Sequence, residues 1–218
     1  MNMTHKTPEE IDRTRKQFFN DRAAGWMDLC YKDEKTGEYT RHQKDFDRLF
    51  SIIPLKPGDT VLDAGCGSGV LVPDILSRIT ETGLLHEMDF AEKMIEVNKT
   101  LHTAKNINFI IADAANAPLD AESCDAVFCF SCFPHFHDKE GSLRALARVL
   151  KRSGLLVIAH FISSEEVRQH HTPCCAVMHD HLPDESAMRE LFRLAELNIR
   201  KFIDEPGFYC VLADKYPG

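Results

Sequence analysis

Nowhere in the 218 residues is there an apolar run close to the roughly 20 residues that a membrane helix needs. The opening stretch MNMTHKTPEE has neither the basic start nor the apolar middle of a secretory signal. A cytoplasmic protein without a membrane partner is therefore expected. Positive charge is also scarce: 26 Lys and Arg stand against 34 Asp and Glu, a net charge of -8. Tracking a nucleic-acid backbone needs clustered Lys and Arg, so nucleic acid is disfavoured as a partner. The local patch from Arg13 to Lys16 reads as one solvated helix face. Internal repeats and low-complexity tracts are absent. The eight cysteines do not form a disulfide framework. Cys66, Cys129 and Cys210 fall at positions expected to be buried or to face a ligand, where a reduced thiol is a small apolar filler. Cys129 and Cys132 form one CxxC, but no second pair stands nearby at ligand spacing and no histidine follows Cys132. No metal site is expected from them, since residues three apart on a strand face opposite ways unless the strand ends between them.

The most informative stretch is VLDAGCGSG at 61–69. Val61 and Leu62 read as a buried strand with Asp63 at its carboxyl end, and Gly65, Gly67 and Gly69 let the backbone turn tightly against a ligand. A helix follows from about Val70 to Ile79. A dinucleotide loop would place its third glycine where Val70 stands, to pack helix on strand near a pyrophosphate. A second apolar run, Leu84 to Met88, ends in Asp89, 20 residues after Gly69. That is the distance at which an acidic side chain closing the second strand can accept from both ribose hydroxyls of a nucleoside. FIIADA at 109–114 then places Asp113 and Ala114 after a third strand, and Ala126 to Phe130 reads as a fourth.

Over residues 56–161 this order of motifs resembles the class I S-adenosylmethionine-dependent methyltransferases, of the type that acts on small molecules. The resemblance implies a Rossmann-like, doubly wound α/β fold with a seven-stranded sheet and an antiparallel last strand. It implies one domain over 1–218, with 1–55 as an N-terminal helical cap and 56–218 as the cofactor-binding core. S-adenosylmethionine would lie with Asp63 near its methionine end, Asp89 on the ribose, Asp113 on the adenine amino group and the Ala114 amide on the ring. Trp26, Gly65, Cys66, Gly67, Phe90, Met94 and Phe130 complete the expected contacts. The family usually has Pro and Gly where Arg152 and Ser153 stand, and AGF where AEL stands at 195–197. The first departure should alter a turn, and the second should leave a helix less sharply capped.

Thr7, Pro8 and Glu10 form a helix start, and Ile11, Phe18, Phe19 and Trp26 carry the apolar side of that segment. A loop over Lys32 to Tyr39 precedes a second helix with the stripe Phe46, Leu49, Phe50 and Ile53. Past the fifth strand, Ser163 or Ser164 caps a short helix through His171. Asp184 begins another with Met188, Leu191, Phe192 and Ala195 on one face, and strands at 199–204 and 208–213 close a hairpin.

Methyl transfer from a sulfonium is a direct displacement, so much of the rate comes from alignment and exclusion of water. A hydroxyl or protonated amine as acceptor also needs a base, whereas a thiolate does not. The acceptor enters beyond the ends of strands four and five, where SCFPHFHD at 131–138 and AHFISS at 159–164 place His135, His137 and His160. His135, His160 and His171 are the catalytic candidates, each of them equally readable as a loop-ordering residue. The absence of a DPPY-like tetrapeptide disfavours the exocyclic amine of a nucleobase. The loop HTPCCAVMHDHLP, together with His170 and His171, offers Cys174, Cys175, His179 and His181 at no recognised metal spacing. It reads as a lid, or as the wall for a thiol, metalloid or metal-bound acceptor. A noncatalytic regulator that binds S-adenosylmethionine or a metal would carry the same cofactor motifs. The acceptor and the oligomeric state stay open.

Overall fold

A computed structural model describes residues 7–172, 174 and 176–215. Helix α1 (Pro8–Arg22) starts on a capping box in which the Thr7 hydroxyl accepts from the Glu10 amide while the Glu10 carboxylate accepts from the Thr7 amide. One 3-10 turn, Ala23–Gly25, leads into α2 (Trp26–Tyr31), and α3 (Gln43–Ser51) buries Phe46, Leu49 and Phe50 as its stripe requires. The core then alternates: β1 (Thr60–Ala64), α4 (Val72–Ile79), β2 (Leu84–Asp89), α5 (Glu92–Leu101), β3 (Ile107–Ile111), β4 (Cys124–Phe130), α6 (Lys139–Val149), β5 (Leu150–His160), α7 (Ser164–His171), α8 (Glu185–Leu194), β6 (Leu197–Glu205) and β7 (Phe208–Lys215).

The strands form one seven-stranded sheet in the order β3-β2-β1-β4-β5-β7-β6, and β7 runs antiparallel to both its neighbours. The expected Rossmann-like architecture is thus present. Because the order steps outward in both directions from the β1–β4 pair, the carboxyl ends of these strands open a crevice at a topological switch point. The central strands are covered on both faces, which is why they read as continuous apolar runs. Along β1, Val61 packs with α3 and α4 and with Phe128 and Val157, while Leu62 packs on the other face with Leu143, Leu146 and Phe192.

Three details answer the departures noted in the sequence. No separate turn forms at Arg152 and Ser153. Instead α6 runs straight into β5, and the extra residues are absorbed as an irregularity between the Cys124–Leu150 and Ala126–Leu155 pairings, far from the crevice. At AEL, helix α8 still stops, because Glu196 takes the left-handed conformation (φ 59°) in which glycine would be easier. Strand β4 ends at Phe130, between the two cysteines of the CxxC, and the Cys132 thiol donates to the carbonyl of Ala64 at 3.0 Å.

The cap rests on α5. Lys16 pairs with Glu92 at 2.5 Å, the Lys93 amide donates to Asn20 at 3.0 Å, and Phe19 and Ala23 pack against Ala91 and Met94. That contact lays α1 across the crevice.

Candidate active site

The glycine loop is shaped by three residues with positive φ: Gly65 at 79°, Gly67 at 54° and Gly69 at 87°. The amides of Gly65 and Cys66 donate to the Met88 carbonyl at 2.7 and 3.0 Å, stitching the loop to the end of β2. Asp89, buried there, accepts from the Gly67 amide at 2.9 Å and from the Ala91 amide at 2.8 Å. Burial pushes its carboxyl up to about 6, although these amides hold it down. Each of these contacts uses one lone pair of a carboxylate oxygen, so a second lone pair is left on each.

Beneath the loop lies a concentration of buried acid. Asp63 is 1 % exposed, its Oδ1 has no hydrogen-bond partner among the described residues, and burial followed by the nearby Glu87 raises its carboxyl well above the usual range. Glu87 is fully buried and pushed up to about 8 by that burial, against a hydrogen bond from Asn98 at 2.7 Å. Sequence reasoning missed Glu87 and Asn98, and the one signal for them is a glutamate inside the buried strand LLHEMD. Buried carboxyls of this kind favour a cation beside them, and S-adenosylmethionine brings two, a sulfonium and an ammonium. The orphaned oxygen of Asp63, in the cleft that Gly67 also lines, fits such a group.

One cleft of about 890 Å³, including its open mouth, gathers Asp63, Gly65, Cys66, Gly67, Asp89, Met94, Asp113 and Phe130, together with Trp26, Phe90 and Ala114. Asp113 is exposed at its rim and also caps the turn Ala114–Asn116 by accepting from the Ala115 amide at 2.8 Å. Aromatic rings make the cap-side wall: Phe19 meets Trp26, Phe90 and His135 edge-on at centroid distances of 5.8, 5.9 and 5.1 Å.

The three candidate histidines are treated differently by the fold. Past Phe130 the chain turns at Ser131, which takes a positive φ of 54°, and a 3-10 turn over Phe133–His135 aims His135 at the cleft. His135 Nδ1 lies 2.8 Å from Asp180 Oδ2. A carboxylate only accepts, so Nδ1 carries a proton, and in the neutral ring Nε2 is the nitrogen with the lone pair. His171 stands behind, its ring 4.9 Å from that of His135 and its Nδ1 donating to the Asp180 carbonyl at 2.6 Å. His160 is 4 % exposed at the end of β5, with Nε2 unpartnered, and burial, helped by His135 and His171, drops its imidazolium to about 3. Neither His160 nor His171 lines the cleft. His137 does, 3.7 Å from Asp12.

The Cys/His loop is anchored by its acid. Asp180 is 2 % exposed, with Val177 and Leu182 buried beside it, whereas His179 and His181 are not buried. Cys175 lies outside the described residues. Among the described residues no three of His, Cys, Asp and Glu are placed to hold a metal ion. The solvated face expected at Arg13 to Lys16 is corrected at Arg15, which is 8 % exposed and points inward, donating through Nε to Asp180 Oδ2 at 3.0 Å and through Nη2 to Oδ1. Its partner is 165 residues away, which no local pattern reveals. Burial alone would raise the Asp180 carboxyl, but hydrogen bonds from His135 and Arg15 hold it below the ordinary range.

Comparison with known proteins places these residues in a wider group. Residues 62–158 match a family described as a methyltransferase domain. The chain is similar to the 27-O-demethylrifamycin SV methyltransferase of Amycolatopsis mediterranei, with 29% identity over 73% of this chain and 61% of that protein. It is also similar to an O-methyltransferase of Pyrenophora dematioidea, 29% identical over 86% of this chain and 70% of that one. The demethylmenaquinone methyltransferase of Thermotoga maritima is 33% identical over 65% of this chain and 59% of its own length. The chain thus spans roughly three fifths to seven tenths of these relatives. Among solved structures, a SAM-dependent methyltransferase from Aquifex aeolicus superposes with a TM-score of 0.67 at 20% identity, covering 96% of this chain and 98% of that one. The cyclase SpnF superposes at 0.73 with 12% identity, covering 93% and 95%. At such identities the structural likeness establishes the fold alone.

Proposed function

We propose that the chain is a class I S-adenosylmethionine-dependent methyltransferase and that it methylates a hydroxyl group on a small, largely apolar acceptor, with His135 as the general base. The observation that carries this reading is the His135–Asp180 pair, in which Asp180 engages Nδ1 and leaves Nε2 as the nitrogen able to act as base in the neutral ring, on a residue that lines the same cleft as the glycine loop. When bound, S-adenosylmethionine supplies an electrophilic methyl carbon on a sulfonium. Asp89 would hold the ribose hydroxyls, Asp63 the methionine end, and Asp113 with the Ala114 amide the adenine.

The protein's own residues do the rest. A phenolic or enolic hydroxyl in water holds its proton near pH 10, as tyrosine does, so a base near neutral pH raises the fraction able to attack. His135 Nε2 takes that proton, and Asp180 keeps the ring oriented and stabilises the charge that results. Phe19, Trp26, Phe90 and Phe130 present flat apolar surface to the acceptor and exclude water from the line of displacement. Two names of similar proteins are consistent with oxygen acceptors, an O-methyltransferase and one acting on 27-O-demethylrifamycin SV, while a third, acting on demethylmenaquinone, is consistent with an apolar acceptor without naming the atom.

Two measurements test this reading. Incubation with S-adenosylmethionine and a panel of phenols, enols, thiols and amines should release S-adenosylhomocysteine with a hydroxyl acceptor. Turnover restricted to thiols would replace the general-base mechanism with the thiol alternative, and tight cofactor binding without turnover on any class would point to a regulator. Separately, Asp89→Ala is expected to weaken S-adenosylhomocysteine binding about ten- to a hundred-fold, since hydrogen bonds to a charged group are worth about 1.5–3 kcal/mol. Calorimetry on the folded variant showing unchanged affinity would remove Asp89 from the ribose.

A further inference from the structure

The structure assigns to Arg15, on the N-terminal helix, the part of a positioning residue for the base: its guanidinium grips both oxygens of Asp180, and Asp180 in turn holds His135. This rests on the reading of His135 as the base. The geometry is a chain of three side chains from three separate parts of the sequence. Arg15 comes from the cap, Asp180 from the loop before α8, and His135 from the turn after β4. All three are largely buried, with side-chain exposures of 10%, 1% and 13%. A forked, two-point contact fixes the plane of a carboxylate as well as its place, which a single ammonium contact does not. With Oδ1 and Oδ2 both engaged by Arg15, Oδ2 stays aligned with His135 Nδ1.

The consequence is that the cap completes the catalytic side of the site. Lys16 and Asn20 fasten α1 to α5, beside the cofactor residues Phe90 and Met94. One turn of helix before Asn20, Arg15 reaches the loop behind the acceptor. Seating α1 therefore covers the cleft and sets the base in a single movement. Arg15 also bears on charge. Its cation competes with a protonated His135 for the same carboxylate, so its presence favours the proton-free ring needed for the reaction. Besides Asp180, His171 on α7 and His160 on β5 bear on this ring, while Asp12 on α1 contacts Arg15, and Lys139 at the start of α6 acts on Asp180 and Arg15. None of these engages both oxygens of Asp180.

The test compares wild type with Arg15→Ala, Arg15→Lys and, as a control on the exposed side of the same helix, Arg13→Ala. Arg15→Ala should lower kcat about ten- to a hundred-fold with S-adenosylhomocysteine affinity kept within a few-fold, since misplacement of about 1 Å costs as much as a hundred-fold. The acidic limb of its kcat profile should move upward, because Asp180 then serves the imidazolium alone, and the NMR signals of the His135 ring in cofactor-free protein report the same change. Arg15→Lys keeps the charge without the fork, so the limb should stay near its wild-type position while kcat recovers only in part. Arg13→Ala should match wild type. Unmoved kcat and titration in Arg15→Ala would overturn the assignment, as would a loss of rate that merely follows loss of folded protein or of cofactor affinity. Full activity of His135→Ala and Asp180→Asn would sink the base itself. If those two variants fail while Arg15→Ala does not, only the part given to Arg15 falls.

Discussion

Replacing His135 by alanine is expected to lower kcat for hydroxyl methylation by about 10²–10⁴-fold, the usual contribution of a positioned general base, equivalent to about 2.7–5.5 kcal/mol in the barrier. The protein should stay folded, because His135 sits on a turn at the cleft and its removal opens no sealed cavity. Affinity for S-adenosylhomocysteine should change little, since the residues proposed to hold it belong to the loop after β1, the ends of β2 and β3, and the cap. Asp180→Asn should follow with a smaller but clear loss. An amide can present its NH₂ to Nδ1 and favour the other tautomer, which places the proton on the nitrogen that has to accept one. The measurement is the initial rate of S-adenosylhomocysteine release at saturating acceptor, with binding followed by calorimetry. A His135→Ala rate equal to wild type on a hydroxyl acceptor would end the general-base reading. The same result on a thiol acceptor would be expected, because a thiolate needs no base.

The residues proposed to hold the cofactor were legible in the sequence as a group because their signals are local. A glycine loop needs its glycines within a few residues of each other, and an acidic residue must stand at each strand end to reach over the sheet. Asp63, Asp89 and Asp113 therefore announce themselves by spacing alone, and all three line the cleft. The capping boxes at Thr7 and Ser163 are equally local, each a hydroxyl and a carboxylate three residues apart. The acceptor half is built from pairs that meet only in the folded chain. In the sequence, Asp180 is an acid between two histidines, and the ligand-like histidines draw attention from it. In the structure it is the buried residue of the three. Arg15 shares a helix face with Ile11, Phe18 and Phe19, so its inward side follows from spacing, but its charged neighbours suggest solvent and nothing local names Asp180 as its partner. His160 and His171 were expected to reach the acceptor, yet strand pairing with Tyr209 and contact with the Asp180 carbonyl keep them behind His135, and neither lines the cleft.

Of the three loop glycines, Gly67 is the one whose substitution should strike the ligand and not the packing of the protein. A Cβ on Gly65 would lie 2.6 Å from Cys132 Cβ, and one on Gly69 would lie 2.4 Å from Asn98 Oδ1, so those positions are closed by the protein's own atoms. The atoms nearest a Cβ on Gly67 are those of the Trp26 ring, with Nε1 at 3.6 Å, and Met94 Sδ at 4.0 Å, which are ordinary contacts. Gly67→Val should therefore fold. Its backbone conformation, with φ at 54°, costs an L-residue about 1–2 kcal/mol, a fall in Tm of a few degrees at about 2–4 °C per kcal/mol for a chain of this size. The two further methyl groups then project into the space between the loop and Trp26. They should reduce affinity for S-adenosylhomocysteine by about a hundred-fold or more, the equivalent of at least about 2.7 kcal/mol. Gly67→Ala, with the Cβ alone, separates the two effects: it should carry much of the fall in Tm and a smaller share of the lost affinity. Calorimetric titration beside thermal melts of both variants decides the matter. Wild-type affinity in Gly67→Val would mean that the loop is a turn the ligand never approaches, and that the cofactor lies elsewhere in the cleft.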